Sequence, residues 1–284
     1  MLKRPKITLI LLNYNNSRYL KKCLESIVCY RKNYHELIFV DDCSKDATTQ
    51  EYEQIIEKFP DLRIKSVFNK DNFGVKESLL NVLDFVDSDY IQLLGTDDLF
   101  GWHNKLPDFT KNSNDVYVTG GFYINDFGVK LKRYNNSSLN LNFIAGLIYY
   151  SNPVKAPGII ASKDLVKESL QKTNVEFEDW PILRQSISNG GKIINSNKSI
   201  ILYRQHSSSL SSKSNKNRIV WLSKQILVFL EESLDYDITP HTRFMINVQT
   251  VYISSGYVLK SFIIFIKALD LKKIAFKILN FRIK

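Results

Sequence analysis

Apolar residues follow two alternating rhythms along the first hundred positions. Ile7–Leu12, Glu36–Asp41, Arg63–Phe68 and Asp89–Leu94 are short, mostly apolar stretches rich in β-branched residues, and they read as buried strands. Between them the apolar positions fall at helical spacing. Leu20, Leu24, Ile27 and Val28 mark a helix from a cap at Ser17 to about Tyr30. Tyr52, Ile55, Ile56 and Phe59 mark a second, opened by Asp46 and closed before Pro60. Val75, Leu79, Val82, Leu83 and Val86 mark a third, Gly74–Val86. Strands alternating with helices at this spacing predict βαβ units and a parallel sheet covered on both faces. In such sheets ligands bind beyond the carboxyl ends of the strands. Those ends carry Asn13-Tyr14-Asn15, Asp41-Asp42, Asn69 to Asn72 and Gly95-Thr96-Asp97-Asp98.

The rhythm changes after residue 100. Asp115–Ile124 and Val129–Arg133 predict a strand pair joined by a turn at Asn125 to Gly128, and Leu139–Tyr150 predicts a helix. Gly158–Ala161 and Lys192–Leu202 predict strands, Lys163–Leu170 and Phe177–Ser188 helices, with a turn at Asn189-Gly190-Gly191. Residues 206 to 218 lack any acid and are rich in Ser, Asn and Lys, which reads as a loop: a lid over anionic ligand, or a plain surface loop. Helices are expected around Ile219–Leu230 and from about Thr242 to the end.

Length and charge refine this. A chain of 284 residues, 44% hydrophobic and 24% charged, suits one sizeable globular domain with an appendage. Its net charge of +10 favours anionic partners, whether nucleic acid, lipid headgroups or phosphorylated substrates. Cys23, Cys29 and Cys43 have neither disulfide-framework nor zinc spacing, so buried thiols in a reducing compartment are expected. No run approaches the ~20 apolar residues of a spanning helix, and a cytoplasmic protein is expected. Residues 258 to 284 hold seven Lys or Arg against Asp270. That pattern predicts either contact with an anionic membrane at its inner face or a helix packed on the domain with its lysines in water.

Four clusters could carry chemistry. The adjacent carboxylates Asp97-Asp98 repel unless a cation such as Mg²⁺ or Mn²⁺ lies beside them; a solvated turn or helix cap is the alternative. Asp41-Asp42 could accept hydrogen bonds from a base or ribose, or form an acid-rich turn, and the Tyr14 ring could stack on a base. Glu178-Asp179, between Phe177 and Trp180, suits a general base or a helix N-terminus favoured by its dipole. At Tyr203-Arg204-Gln205-His206, the imidazole could ligate metal and Arg204 could pair with phosphate.

Together and in this order, the segments resemble the family 2 glycosyltransferases. Ile10 to Asn15 is similar to the family's first strand and nucleotide-contacting turn, and Val40 to Asp46 to its "VDD-x-S-x-D" segment. Asn72-Phe73-Gly74 with Asn81 is similar to its "N-x-G … N" helix, and Tyr90 to Asp98 to its metal-binding strand end. Glu178-Asp179-Trp180 resembles its "ED" segment and Tyr203 to Ser209 its "Y-R-x-H-x-x-S" segment. Two positions depart from the pattern: Gly95 stands where the common D-x-D-D form has its first Asp, and Leu80 where many relatives have Arg.

The resemblance implies a GT-A fold, Rossmann-like, with a mostly parallel sheet and helices on both faces. It would occupy residues 1–218, with a nucleotide-sugar half to about 100 and an acceptor half beyond, followed by a basic helical extension over 219–284. It implies an inverting transfer from a nucleotide-sugar, by family default a UDP-sugar, to a glycan or lipid-linked acceptor in surface polysaccharide assembly. Asp179 is then the expected base. Asn13, Tyr14, Asn15, Asp41, Asp42, Asn72, Gly74, Asp97 and Arg204 would contact the donor, and Asp97, Asp98 and His206 would hold Mn²⁺ or Mg²⁺. Nucleic acid is not an expected partner. A nucleotide-sugar-forming nucleotidyltransferase would carry a Gly-rich, Arg-containing loop after the first strand, and Asn13 to Arg18 has no Gly. A non-catalytic carbohydrate- or nucleic-acid-binding module would not need both acidic pairs.

Overall fold

The computed structural model describes residues 5–134, 146–152, 154, 158–206 and 216–254. Four parallel strands form one half of the sheet: β1 (Ile7–Asn13), β2 (Glu36–Asp41), β3 (Ile64–Phe68) and β4 (Tyr90–Gly95). They are ordered β3-β2-β1-β4. The connections are α1 (Ser17–Val28), α2 (Thr48–Lys58) and α3 (Gly74–Leu83). Because β1 has helices on both faces, both sets of alternate side chains are buried as far as Leu11 and, apart from Thr8, which donates to Glu36, apolar down to Leu12. Ile7, Leu9 and Leu11 pack with Leu20, Leu24 and Ile27 of α1 and Tyr52 and Ile55 of α2. Ile10 points the other way, among Leu79, Val82 and Leu83 of α3. Each such side chain contributes about 1.5–3 kcal/mol on burial, so Leu24→Ala in α1 should cost about 2–5 kcal/mol.

The second half is mixed. β5 (Leu99–Asn104), β6 (Val116–Ile124), β7 (Lys130–Tyr134), β8 (Ile160–Ser162) and β9 (Ile193–Arg204) join the same sheet. The path continues β4-β8-β6-β9-β5, with β7 paired to β6. β6 and β9 run parallel from Val116↔Ile193 to Ile124↔Arg204, while β5 runs antiparallel to β9. The sequence reading missed β5, because Leu99-Phe100-Gly101 has neither alternation nor length. Pairing with β9 makes it a strand. This matters for the site, since it fixes Asp97 and Asp98 in the tight turn between β4 and β5.

α4 (Lys163–Gln171) and α5 (Asp179–Ser188) follow β8, then α6 (Lys216–Glu232) and α7 (Pro240–Ser254) follow β9. Most of the expected helix at 139–150 falls outside the described residues, and its described end is one 3₁₀ turn, Leu147–Tyr149. The basic tail over 258–284, with its membrane reading, also lies outside them, as do 207–215 of the expected lid or loop, while 216–218 of that segment already belong to α6. Among the described residues no helix is long and apolar enough to cross a membrane.

α6 and α7 pack on the sheet domain. Phe229 enters the core beside Trp180, their rings 4.1 Å apart, and Leu230, Met245 and Ile246 enclose Tyr149 and Tyr150. The buried Arg184 guanidinium fastens this junction. It lies 4.1 Å over the Phe229 ring, donates to Phe229 O and Ser233 Oγ, and pairs with Glu232 at 3.0 Å. Glu232 also accepts from Thr173 Oγ1 and the Asn174 N–H.

Removing one partner of a buried ion pair strands the other, so Arg184→Met should cost about 3–5 kcal/mol, read as a lower urea midpoint. The double variant Arg184→Met/Glu232→Met should recover part of that loss; no recovery would mean the two groups are uncoupled.

Candidate active site

The carboxyl ends of β1, β2 and β4 converge through one amide. Asn13, buried at the end of β1, donates through Nδ2 to Asp41 Oδ1 at 2.7 Å, with Ser44 Oγ and Thr48 Oγ1 each at 3.1 Å. Its Oδ1 accepts from Thr96 Oγ1 at 2.5 Å. Asn13 thereby ties three strand ends together, and its polar atoms are engaged by the protein.

The two acids after β2 also have distinct partners. Asp41 accepts from Asn13, from Ser44 Oγ and, at 3.0 Å, from the Ser44 N–H, which closes the turn. Asp42 reaches the start of α3. Its oxygens accept from the N–H groups of Phe73 (2.9 Å) and Gly74 (2.8 Å), from Asn69 Nδ2 (2.9 Å) and from Ser78 Oγ (2.9 Å). It therefore acts as a cap supplied from another loop, satisfying donors that a helix leaves open at its first turn. Gly74, at φ +79°, lets the chain enter the helix this way, and Asn72 Oδ1 accepts from the same N–H at 3.2 Å.

Asp46 performs a similar double task. It accepts the N–H of Ser17, first residue of α1, at 2.9 Å and that of Thr48, first of α2, at 3.0 Å. The expected cap at Ser17 is thus provided by Asp46 from the neighbouring loop. Asn15 and Cys43 both lie in the left-handed region, at φ 52° and 62°, and the Tyr14 ring next to Asn15 is half-exposed. Asn tolerates that conformation; for Cys43 it stores about 1–3 kcal/mol, as strained backbone at functional loops does.

A second cluster forms where the β4–β5 turn meets the carboxyl end of β9. His206 Nε2 lies 2.9 Å from Asp97 Oδ2, with the imidazole buried and Asp97 partly open. Asp98 is buried, and its Oδ1 accepts the Arg204 N–H at 2.8 Å. Burial first, and then the Asp97 charge, pushes the Asp98 carboxyl well above the usual carboxylate range, against the opposing pull of Arg204. Gly95 leaves space here: a Cβ at that position would meet Asp97 Oδ1 at 2.6 Å, so the Asp97 carboxylate would have to turn.

Arg204 was read as a phosphate contact, but its guanidinium points inward. Nε donates to Asp97 O at 2.7 Å, and Nη1 to the carbonyls of Asn125 and Asp126, each at 2.9 Å. The guanidinium stacks 4.5 Å over the Tyr19 ring, and Nη2 is buried without a hydrogen-bond partner among the described residues. Arg204 therefore positions Asp97. Tyr19 donates to Asp126 and sits 5.0 Å from the His206 ring, with burial and that bond pushing its pKa up to about 12.

Asp179 stands in a third set. It opens α5, accepting the Trp180 N–H at 2.7 Å and Asn152 Nδ2 at 3.0 Å. Trp180 Nε1 donates to Ile148 O, which holds the aromatic wall in place. Glu178 keeps part of its surface open yet lies beneath surrounding chain. That burial, and then the neighbouring Asp179 charge, pushes its carboxyl up to about 7.

Thr96, Ser44, Tyr19, Asp126 and Asn152 were not foreseen as site residues. Thr96 and Ser44 lay inside the recognised segments. Tyr19 reads as one more helix residue, and the partners of Asp126 and Asn152 are distant in sequence. Among the described residues no three or more His, Cys, Asp or Glu side chains are already gathered as a metal cage. The donor types nevertheless suit a hard divalent cation, since Asp97, Asp98 and His206 supply two carboxylates and an imidazole within one cluster.

A curled, mostly parallel sheet with polar clusters at its strand ends is the architecture of the GT-A glycosyltransferases. A mannosyltransferase from Pyrobaculum calidifontis, solved with GDP-Man and Mn²⁺, superposes with a TM-score of 0.60 at 13% identity, covering 95% of this chain and 81% of that one. Staphylococcus aureus TarS 1–349, solved with UDP-GlcNAc, superposes with a TM-score of 0.56 at 17% identity, covering 87% and 72%. Residues 8–168 match the family described as glycosyl transferase family 2, and the chain belongs to it: it is a glycosyltransferase. Putative glycosyltransferase EpsE of Bacillus subtilis is 37% identical over 130 residues, which span 44% of this chain and 46% of EpsE.

A carboxyl whose folded pKa exceeds its unfolded one holds its proton more tightly when folded, so stability falls as pH rises from about 4.5 through about 7. Glu178→Gln should remove that loss. The variant should melt above the wild type at pH 8, and the gap between them should shrink steadily toward pH 4.5. A constant gap across that range would show that Glu178 does not titrate this way.

Proposed function

We propose that the chain transfers a sugar from a nucleotide-sugar to an acceptor hydroxyl with inversion at the anomeric carbon, assisted by a divalent cation. The observation that carries this reading is the Asp97–His206 contact at 2.9 Å beside the buried Asp98, placed at the carboxyl end of β4. Two carboxylates held so close call for positive charge, and a diphosphate with its cation supplies the complement. Asp97, Asp98 and His206 would hold Mn²⁺ or Mg²⁺, the rest of the coordination coming from phosphate oxygens, as is usual for such cations. Bound there, the cation would offset negative charge on the departing diphosphate. The solved neighbour that holds GDP-Man and Mn²⁺ supports this choice.

The nucleoside is assigned to the loops after β1 and β2. Tyr14 presents a flat, half-exposed ring for a base, Asn15 follows it, and Asn72 and Gly74 stand at the start of α3, tied to the loop after β2 through Asp42. Asp41 and Asp42 brace those loops, and they contact the nucleoside only by exchanging some of their present hydrogen bonds for ligand groups. Asn13 and Arg204 act by positioning. UDP is favoured as the nucleotide, in keeping with the TarS complex with UDP-GlcNAc. Asp179 takes the acceptor proton. Asn152 orients its carboxylate, and Trp180 forms an apolar wall that excludes water. A glycan or lipid-linked saccharide is the proposed acceptor, used in surface polysaccharide assembly in the cytoplasm or at the inner membrane face.

Asp179→Asn should reduce transfer by at least about 100-fold, the usual worth of a positioned base, while leaving donor binding intact. Calorimetric titration with UDP-sugar alongside a product assay separates the two, and wild-type turnover would remove Asp179 from this role. A panel of UDP-, dTDP-, GDP- and CMP-sugars should raise the melting temperature for one nucleotide class only when Mn²⁺ is present. That shift should vanish in Asp98→Ala. A folded protein that responds to none of them would contradict the reading.

A further inference from the structure

The β6–β7 hairpin carries an apolar surface that the sugar-transfer reading does not use. Phe127 at its tip is 82% exposed, and Val129 and Leu131 follow at 58% and 55%. Alternation along the strand puts Val129 and Leu131 on one face. Along the same strand Lys130 and Lys132 alternate with them on the other face and Arg133 follows on theirs, all three exposed, with Lys130 Nζ 5.4 Å from the Phe122 ring centre and Lys132 Nζ 5.3 Å from that of Tyr123. The hairpin's acid, Asp126, is already engaged by Tyr19 and lies 3.7 Å from Arg18. The tip is thus an aromatic wedge flanked by cations, on a chain with net charge +10.

We infer that this hairpin docks on an anionic lipid bilayer, with Phe127, Val129 and Leu131 entering the headgroup region and Lys130, Lys132 and Arg133 pairing with lipid phosphates. Charge complementarity favours this occupant over a second copy of the chain, whose own +10 would be repelled. Lysines along an edge strand oppose strand-to-strand pairing, and the register shift between Phe122 and Ile124 distorts that edge. Three apolar side chains offer far less than the ~1,000 Å² that a stable protein interface buries, whereas shallow insertion needs only a few apolar residues beside a basic patch. The docked hairpin would be directly linked to the active site, because the carbonyls of Asn125 and Asp126 hold the Arg204 guanidinium that also holds Asp97.

The test is flotation of the full chain with phosphatidylcholine vesicles containing or lacking phosphatidylglycerol. Wild type should float with the anionic vesicles, more weakly as salt rises, and little with the neutral ones. Phe127→Ser/Val129→Thr/Leu131→Thr should weaken binding at least about ten-fold. Each of Lys130→Gln, Lys132→Gln and Arg133→Gln should weaken it about five-fold, the worth of one cation at such a surface. Phe127→Trp should show blue-shifted emission quenched by brominated lipid, which reports insertion even if the triple variant misfolds. Wild type that ignores anionic vesicles, or a folded triple variant that binds as well as wild type, overturns the inference; the second result moves any binding to residues such as 258–284. A wild-type dimer that becomes monomeric in the triple variant, with vesicle binding unchanged, overturns it in favour of a second copy. These readouts measure binding alone, so they succeed or fail independently of the proposed transfer reaction.

Discussion

A single buried cation organises the acidic end of this sheet. The Arg204 side chain, almost wholly enclosed, directs Nε and Nη1 to three backbone carbonyls, one in the β4–β5 turn and two in the β6–β7 turn, and leaves Nη2 without a hydrogen-bond partner among the described residues. Its own N–H goes to Asp98. An uncompensated guanidinium in such a place would be strongly unfavourable. The carbonyls, the Tyr19 face and the nearby carboxylates compensate it only while both turns keep their present shape. The geometry of Asp97 and His206 follows from that electrostatic requirement more than from any local preference of their own segments.

The nucleotide side rests on amides and carboxylates. Asn13, Asp41, Asp42 and Asp46 each reach across to a loop or helix start other than their own, so three successive strand ends hold one another in register. Buried polar groups that are fully partnered give rigidity and a unique arrangement, at the risk that losing one leaves several donors stranded. The outward-facing groups, Tyr14 above all, are carried on a frame that is already set.

Much of this was legible beforehand, for identifiable reasons. β1, β2 and β4 are buried on both faces, so they appear as apolar runs interrupted only by single polar residues such as Thr8 and Gln92, and α1 to α3 each carry a clear stripe. The acids stood out because they follow those runs directly. β5 was invisible because its strand character comes from pairing with β9, a partner a hundred residues away. Arg204 was read with the wrong orientation, since a sequence shows that a guanidinium is present but not which way it turns, and its partners are backbone carbonyls that any residue could supply. Tyr19 and Asp126 escaped notice for the same reason: their contact spans 107 positions.

Gly95 leaves the Asp97 carboxylate room to swing. Its Oδ1 lies 2.6 Å from where a Cβ at 95 would sit, and that oxygen is the mobile end of a flexible side chain. A side chain at 95, such as the acid of the common family pattern, would be accommodated by a rotation of the Asp97 carboxylate, and the Asp97–His206 contact would shift with it. Residue 95 thus acts as a steric dial on the direction of Asp97.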